Sequence, residues 1–158
     1  MKIKIIAVGT RMPVWVDQAF HEYAQRMPQI AQLELHEVVA KKRGKNSDTG
    51  KILQQEAALI DAALPAGYLP IALDRQGRQL DTQTLAAKLQ SWIDNSQNVA
   101  LLIGGPEGIA PNYLAAINTK WSLSAMTFAH PVVRVMLAEQ LYRAWSINAG
   151  LPYHRGEP

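Results

Sequence analysis

The stretch "NVALLIGGPEG" at residues 98–108 joins an unbroken apolar run to a loop rich in glycine. Continuous apolar strands are typical of parallel sheets that helices cover on both faces, because neither face of such a strand meets water. Two glycines directly after the strand indicate that the backbone comes close to another group. The segment therefore predicts a buried strand over 98–104, followed by a loop that turns tightly or binds a ligand.

The rest of the chain alternates between strand patterns and helix patterns. Further strands are predicted over 3–8, 33–39, 68–74 and 121–125. Long helices are predicted over 14–27, 50–64, 81–95 and 131–148, and a short one begins near Pro111. Strands that alternate with helices form βαβ units. The expected fold is α/β, with a mainly parallel sheet and helices on both faces, in one domain over residues 1–158.

The composition limits which metal sites, covalent crosslinks and cellular compartments are to be expected. The chain has 158 residues and no cysteine, which excludes disulfides and thiolate metal sites and favours a reducing compartment. No apolar run approaches the ~20 residues that span a bilayer, and the apolar run at the start is too short for a signal peptide. We expect a cytoplasmic protein with no membrane contact and no metal.

Positive charge is concentrated in one predicted loop. The net charge is only +3, but "KKRGKN" at 41–46 holds Lys41, Lys42, Arg43 and Lys45 within five residues. Such a run has two interpretations. It is either a solvated segment or the binding surface for a polyanion such as RNA. These four side chains are the candidate RNA-binding residues.

The glycine loop is poorly suited to a phosphate group. Pro106 lacks an N–H, and the carboxylate of Glu107 would repel an anion. Two interpretations remain open. The loop is a tight turn with Glu107 near the start of the next helix, or it binds a nucleoside-like, cationic ligand without phosphates, such as S-adenosylmethionine. The poor fit argues against a third class, the nucleotide-phosphate enzymes of doubly wound fold.

Several motifs together resemble one family of enzymes. They are "AVGT" and "MP" near the start, "KRGKN", "LLIGGPEG", "WSLSAMTFAHPVVRVMLAEQLYRAWSI" at 121–147 and the terminal "PYHR". The whole chain resembles the bacterial ribosomal RNA large subunit methyltransferase H family, of the SPOUT class. The resemblance implies methylation of N3 of a pseudouridine in 23S ribosomal RNA with S-adenosylmethionine, on the assembled ribosome. It also implies a C-terminal trefoil knot and a homodimer whose site is composed from both subunits.

The same resemblance implies a cofactor pocket made of three loops. Backbone groups would hold the adenine, and two leucines would pack against its faces, although the residues alone favour a core role for the leucines. The implied cofactor-binding residues are Leu73, Gly104, Gly105, Leu123, Ser124, Ala125, Met126, Thr127 and Phe128.

Methylation of an imide nitrogen requires removal of its proton, so a base or an anion-stabilising cation is needed. The candidates are His130, Arg134, Glu139, Arg143, Tyr153, His154 and Arg155. Glu139 and Arg143 also have the spacing of an ordinary helical ion pair. The resemblance places the tail "YHR" at the active site, which makes His154 the main candidate, with Tyr153 and Arg155 beside it. Relatives often have glutamate directly after this tail, whereas Gly156 precedes Glu157 here, so we assign Glu157 no role.

Two further expectations concern the end of the chain. The last helix is apolar around most of its circumference, which predicts a partner on more than one side and hence a dimer. The polar tail after it is expected to contribute little to stability. Two alternative functions also remain open: an RNA-binding module without catalysis, or a SPOUT methyltransferase that acts on another RNA base.

Overall fold

A computed structural model describes residues 1–156, so Glu157 and Pro158 lie outside the described residues. The strands are β1 (Lys2–Val8), β2 (Gln32–Val38), β3 (Leu69–Gln79), β4 (Val99–Ile103) and β5 (Thr119–Ser122). The helices are α1 (Val14–Ala24), α2 (Thr49–Ala63), α3 (Thr82–Asp94), α4 (Pro111–Ala116) and α5 (His130–Ala149). Short 3₁₀ turns span Gln29–Ala31 and Pro152–Arg155.

The strands form one sheet in the order β2-β1-β4-β3-β5, and every neighbouring pair is parallel. β4 lies at the centre, and all five of its residues are buried. The predicted α/β sheet is therefore confirmed. Because all five strands run in the same direction, their carboxyl ends and the loops that follow them meet at one edge.

The two faces of the sheet pack against different helices. On β1, Ile3, Ile5 and Ala7 point into a core with side chains from α1, α3 and α5. Ile6 and Val8 point to the opposite face, into a second core with α2 and α4. This alternation follows from the two-residue period of a strand, and it confirms helices on both faces.

Two of the predicted strands have different bounds. β3 continues to Gln79, and both Leu73 and Arg78 lie opposite Trp121, so the residues between them bulge out of the ladder. A Cβ on Gly77 would lie 2.6 Å from the backbone carbon of Trp121, so only glycine fits there. β5 ends at Ser122, which leaves 123–125 in a loop. The ends of both strands are determined by pairing with strands that are distant in sequence, and local β-propensity cannot predict this pairing.

Helix α5 is covered largely by its own chain. It packs between α1 and α3, and Leu137, Ala138, Leu141 and Ala144 are buried against the sheet. Packing within the same chain therefore accounts for much of the apolar surface of α5 without a second subunit. Large exposed apolar side chains occur instead at the start of α1, where Val14 is 70% exposed and Trp15 is 55% exposed. The dimer stays a prediction.

Candidate functional site

A cleft of about 670 Å³ opens at the carboxyl edge of the sheet, between the loops that follow β3, β4 and β5. Its size suits a nucleoside-sized ligand. Eight of the nine residues proposed to bind a cofactor line it: Leu73, Gly104, Gly105, Leu123, Ser124, Met126, Thr127 and Phe128. Ala125 is exposed and does not line the cleft. Three loops far apart in sequence therefore form a single concave surface, with apolar and hydroxyl side chains on its walls.

The glycine loop closes as a tight turn. The Gly108 N–H donates to the carbonyl of Gly105 over 2.9 Å, and Gly108 has φ +85°, which favours glycine. A Cβ on Gly104 would lie 2.4 Å from the carbonyl carbon of Gly108. The missing side chain at Gly104 thus makes room for the rest of the loop. The turn is present, and ligand binding by the loop stays a prediction.

The Glu107 side chain of the glycine loop is bound by Arg43 of the basic loop 41–46. Arg43 forms a bidentate pair with Glu56, with distances of 2.8 and 2.9 Å, and its Nη2 lies 2.7 Å from Glu107 Oε2. Its Nε also donates to Glu107 over 3.0 Å, and its Nη1 donates to the Lys41 carbonyl over 2.9 Å. All five N–H donors of the guanidinium are therefore used. We call Arg43, Glu56 and Glu107 the arginine clamp.

The arginine clamp compensates the negative charge of Glu107 in the glycine loop. Hydrogen bonds that Arg43 donates to Glu56 and then to Glu107 raise the pKa of Arg43 above its usual value. The hydrogen bond from Arg43 holds the pKa of Glu107 below its usual value. Glu107 lines the cleft but its carboxylate is already paired. The loop therefore presents less negative charge to the cleft than its sequence indicates.

The four candidate RNA-binding residues fall into two groups. Arg43 is engaged by two carboxylates, so its charge is locally compensated. Lys41, Lys42 and Lys45 are exposed and face solvent beside the clamp. RNA binding by this loop stays a prediction, and the three lysines have exposed side chains, whereas Arg43 joins the loop to the cleft.

Glu56 is not among the site residues predicted from the sequence, although its position in α2 could have indicated it. Ile52, Glu56 and Ile60 are spaced by four residues on the buried side of α2. A glutamate in an apolar stripe needs a partner, since an unpaired buried charge is costly. Glu56 is only 2% exposed, and the partner comes from the basic loop.

Gly105 lies directly over the clamp. A Cβ there would be 3.0 Å from Arg43 Nη2 and 3.3 Å from Glu56 Oε1. We therefore expect Gly105→Val to lower the free energy of unfolding by about 1–3 kcal/mol through overpacking, and to weaken ligand binding through the displaced clamp. Chemical denaturation measures the first effect.

Gly50 provides the matched control. It lies in the first turn of α2 with an ordinary φ, and a Cβ there would meet only Asp48 Oδ1, at 3.4 Å. Gly50→Ala should be neutral or stabilise by about 0.4–1 kcal/mol. Equal stability of the Gly105→Val protein and the wild type would contradict the packing described for the glycine loop.

The C-terminal tail is docked on α5 and α1. The Tyr153 hydroxyl lies 3.0 Å from Glu139 Oε1 and 3.2 Å from the Tyr23 hydroxyl, and Arg143 lies over its ring at 5.0 Å. Arg143 Nε also donates to Glu139 over 2.9 Å. These contacts argue against the expectation that the tail contributes little to stability, because its aromatic ring covers an ion pair. Burial, and then the bonds to Tyr23 and Glu139, raise the pKa of Tyr153, so this hydroxyl is a hydrogen-bond donor and not a base at neutral pH.

The other tail candidates lie beside Tyr153. His154 Nδ1 is 3.2 Å from the hydroxyl of Ser146 on α5, and Arg155 is exposed. Glu139, Arg143, Tyr153 and His154 thus form one polar group, which we call the tail cluster. None of its members lines the cleft.

The tail cluster and the cleft lie at different points along α5. Val133 is the last residue of α5 in the wall of the cleft, and Arg143 follows ten residues later. At 1.5 Å per residue, this separation is about 15 Å. The structure therefore brings the proposed cofactor residues together, and separately the proposed catalytic residues, but does not join the two sets within one chain.

His130 lines the cleft, and Arg134 follows it one turn later in α5 without lining the cleft. Arg134 is fully buried, and its Nη1 pairs with Glu37 Oε2 at 2.7 Å. Burial, and then the charges of Arg134 and Arg43, lower the pKa of His130, which favours a neutral ring. Arg134 is therefore a structural ion beneath the cleft, and His130 adds no positive charge to it at neutral pH.

Comparison with known proteins decides the family. The family model for predicted SPOUT methyltransferases matches residues 1–154. The chain belongs to the SPOUT methyltransferases. A putative methylase family protein from Neisseria gonorrhoeae is 12% identical and has a TM-score of 0.53, with 89% of this chain and 81% of that one covered.

A second solved structure gives the same result. It is a probable methylase family protein from Haemophilus influenzae Rd KW20, 12% identical, with a TM-score of 0.54, covering 96% of this chain and 68% of that one. At such identities the two structures show a shared fold alone. Within residues 1–156, this SPOUT methyltransferase has no helix long and apolar enough to cross a membrane. In the same part of the chain, no three histidine, aspartate or glutamate side chains are grouped to hold a metal ion.

Proposed function

We propose that this SPOUT methyltransferase uses S-adenosylmethionine to methylate N3 of a pseudouridine in 23S ribosomal RNA, on the assembled ribosome. The observation that carries the proposal is the cleft itself, in which eight residues from three distant loops surround a space of about 670 Å³. The resemblance of the whole chain to the pseudouridine-N3 enzymes supports the choice of base and of substrate.

The cleft residues fit S-adenosylmethionine better than a nucleotide. Leu73 and Leu123 provide apolar walls for an adenine ring, and Ser124 and Thr127 provide hydroxyls. Pro106 has no N–H to offer a phosphate, whereas Glu107 tolerates a cationic ligand. When bound, the cofactor supplies a methyl carbon on a positively charged sulfur, which departs as a neutral thioether.

The chain's own residues must remove the N3 proton and hold the ring. His154 is the proposed base: its ring nitrogen accepts the proton as the N3 lone pair becomes available for methylation, and later releases it to solvent. Arg155 and Arg143 stabilise negative charge on the deprotonated ring. Tyr153 and Glu139 position the tail. Because no residue of the tail cluster lines its own cleft, and Arg143 lies about 15 Å along α5 from it, we propose that the cluster serves the cleft of the second subunit in a homodimer.

Calorimetry tests the cofactor assignment. We expect S-adenosylmethionine and S-adenosylhomocysteine to bind the wild-type protein, and ATP not to bind, because the glycine loop lacks a row of free N–H groups. Binding of RNA without either adenosyl ligand would favour the non-catalytic RNA-binding module.

The exposed lysines beside the clamp are proposed to contact RNA phosphates. Replacing both Lys42 and Lys45 with alanine should reduce the slope of log affinity against log salt by about 0.7–0.9 for each lost contact. Lys88→Ala on α3, which packs on the opposite face of the sheet from α2, is the matched control. An unchanged slope in the double variant, measured by filter binding or anisotropy, would show that the loop is only a solvated segment.

A further inference from the structure

Ser146 is a fully buried hydroxyl side chain on α5. Its Oγ donates to the carbonyl oxygen of Arg143, one turn earlier in the helix, over 2.8 Å. Its backbone carbonyl accepts from Leu151 N–H over 2.8 Å, where the chain leaves the helix. The same residue thus anchors the start of the tail with its backbone and has a side chain aimed at the tail.

The second contact of this hydroxyl is His154 Nδ1, at 3.2 Å. A serine hydroxyl has one proton and two lone pairs, and a carbonyl oxygen can only accept. The carbonyl contact is the shorter of the two, so we assign the hydroxyl proton to the Arg143 carbonyl and a lone pair to His154. In this arrangement Nδ1 carries the ring proton and donates it to Ser146. In the neutral ring, the free lone pair then lies on Nε2.

We infer that Ser146 is a positioning residue that fixes the tautomer of His154, with the proton on Nδ1 and the basic lone pair on Nε2. The inference rests on the proposed role of His154 as the base. A base acts through the nitrogen that lacks a proton, and the partner of the other nitrogen decides which one that is. Within residues 1–156, the structure shows no hydrogen bond to His154 Nε2, so this atom is free to meet a substrate.

The orientation of the ring follows from the same contact. His154 lies in the short turn Pro152–Arg155, and Tyr153 beside it is held by Glu139. With Nδ1 tied to the helix, Nε2 on the far side of the ring points away from α5. Ser146→Ala removes this tie but keeps the backbone bond from Leu151, so the tail stays docked while its imidazole loses its partner.

The direct test is the nitrogen chemical shifts of the His154 ring. They are measured by NMR at about pH 8, where an ordinary histidine is neutral, and assigned by comparison with His154→Gln. We expect the wild-type protein to carry the ring proton on Nδ1. In Ser146→Ala, the proton should be found largely on Nε2, the form that free histidine prefers. Ser146→Thr keeps a hydroxyl and should keep the wild-type tautomer.

Kinetics provide the second readout. Loss of tautomer control should lower kcat by roughly tenfold to a hundredfold, within the range of general base catalysis. The KM for RNA should stay constant in Ser146→Ala, and Ser146→Thr should recover most of the rate.

The NMR result does not depend on methyl transfer, so the two proposals fail separately. A wild-type ring with its proton on Nε2, or a Ser146→Ala ring unchanged from wild type, would overturn the role of Ser146 while leaving the enzyme assignment intact. Full activity of His154→Gln would instead remove His154 from the proposed function, whereas the tautomer set by Ser146 would still be decided by NMR.

Discussion

Deleting residues 153–158 is expected to lower methyl transfer by about 10²- to 10⁴-fold, the usual contribution of general acid–base groups. S-adenosylmethionine affinity should persist, because the cleft contains no residue of the tail. The deletion should also lower the free energy of unfolding by about 1–3 kcal/mol, since Tyr153 is partly buried and bonded to the Glu139 carboxylate. Methyl incorporation, calorimetry and thermal denaturation measure the three effects.

Point variants separate the contributions within the tail. Tyr153→Phe keeps the ring over Arg143 and removes the bond to Glu139, so it should reproduce much of the loss in stability. His154→Gln should reproduce most of the loss in rate with little effect on stability. Normal methylation by both His154→Gln and the truncated protein would contradict any catalytic role of the tail.

The second large effect is expected at the arginine clamp. Arg43→Met leaves the buried carboxylate of Glu56 without a counter-ion and with only the Lys41 N–H as a hydrogen-bond donor. Breaking a fully buried ion pair in this way costs several kcal/mol. Because the Arg43 side chain is 25% exposed, we expect about 2–3 kcal/mol. Without Arg43, the glycine loop is no longer held through Glu107. We therefore expect the affinity for S-adenosylmethionine to fall roughly tenfold, which is within the usual range of coupling free energies between sites.

Two controls separate the loss of a positive charge in the basic loop from the loss of the clamp's contacts with the glycine loop. Lys42→Met removes a cation from the same loop but leaves the clamp intact, so stability and cofactor affinity should match those of the wild type. Arg43→Met combined with Glu56→Leu removes both buried charges and should recover most of the stability but not the affinity. If Arg43→Met binds the cofactor as the wild type does, the clamp does not position the glycine loop for its ligand.

The sheet could be predicted because its signals are local. The apolar run of β4 and the alternation of strands and helices identify the α/β fold. Asp48 and Asp81 cap α2 and α3 by accepting from the N–H groups of Lys51 and Thr84.

The bulge in β3, the clamp and the docking of Tyr153 could not be predicted, because each depends on residues far apart in sequence. The pair of Arg43 and Glu107 joins side chains 64 residues apart. Nothing in the basic run distinguishes the arginine that is clamped from the lysines that are not. The C-terminal trefoil knot stays a prediction of the family resemblance, since connection rules alone argue against knots.

The most direct test of the proposed function is nucleoside mass spectrometry of 23S ribosomal RNA. Ribosomes from cells that lack this protein are incubated with the purified protein and S-adenosylmethionine carrying an isotopically labelled methyl group. We predict that the label appears in one nucleoside, a pseudouridine methylated at N3, and that free 23S RNA is labelled far less. A label on another base, or no label in RNA while the cofactor binds, would contradict the proposed reaction.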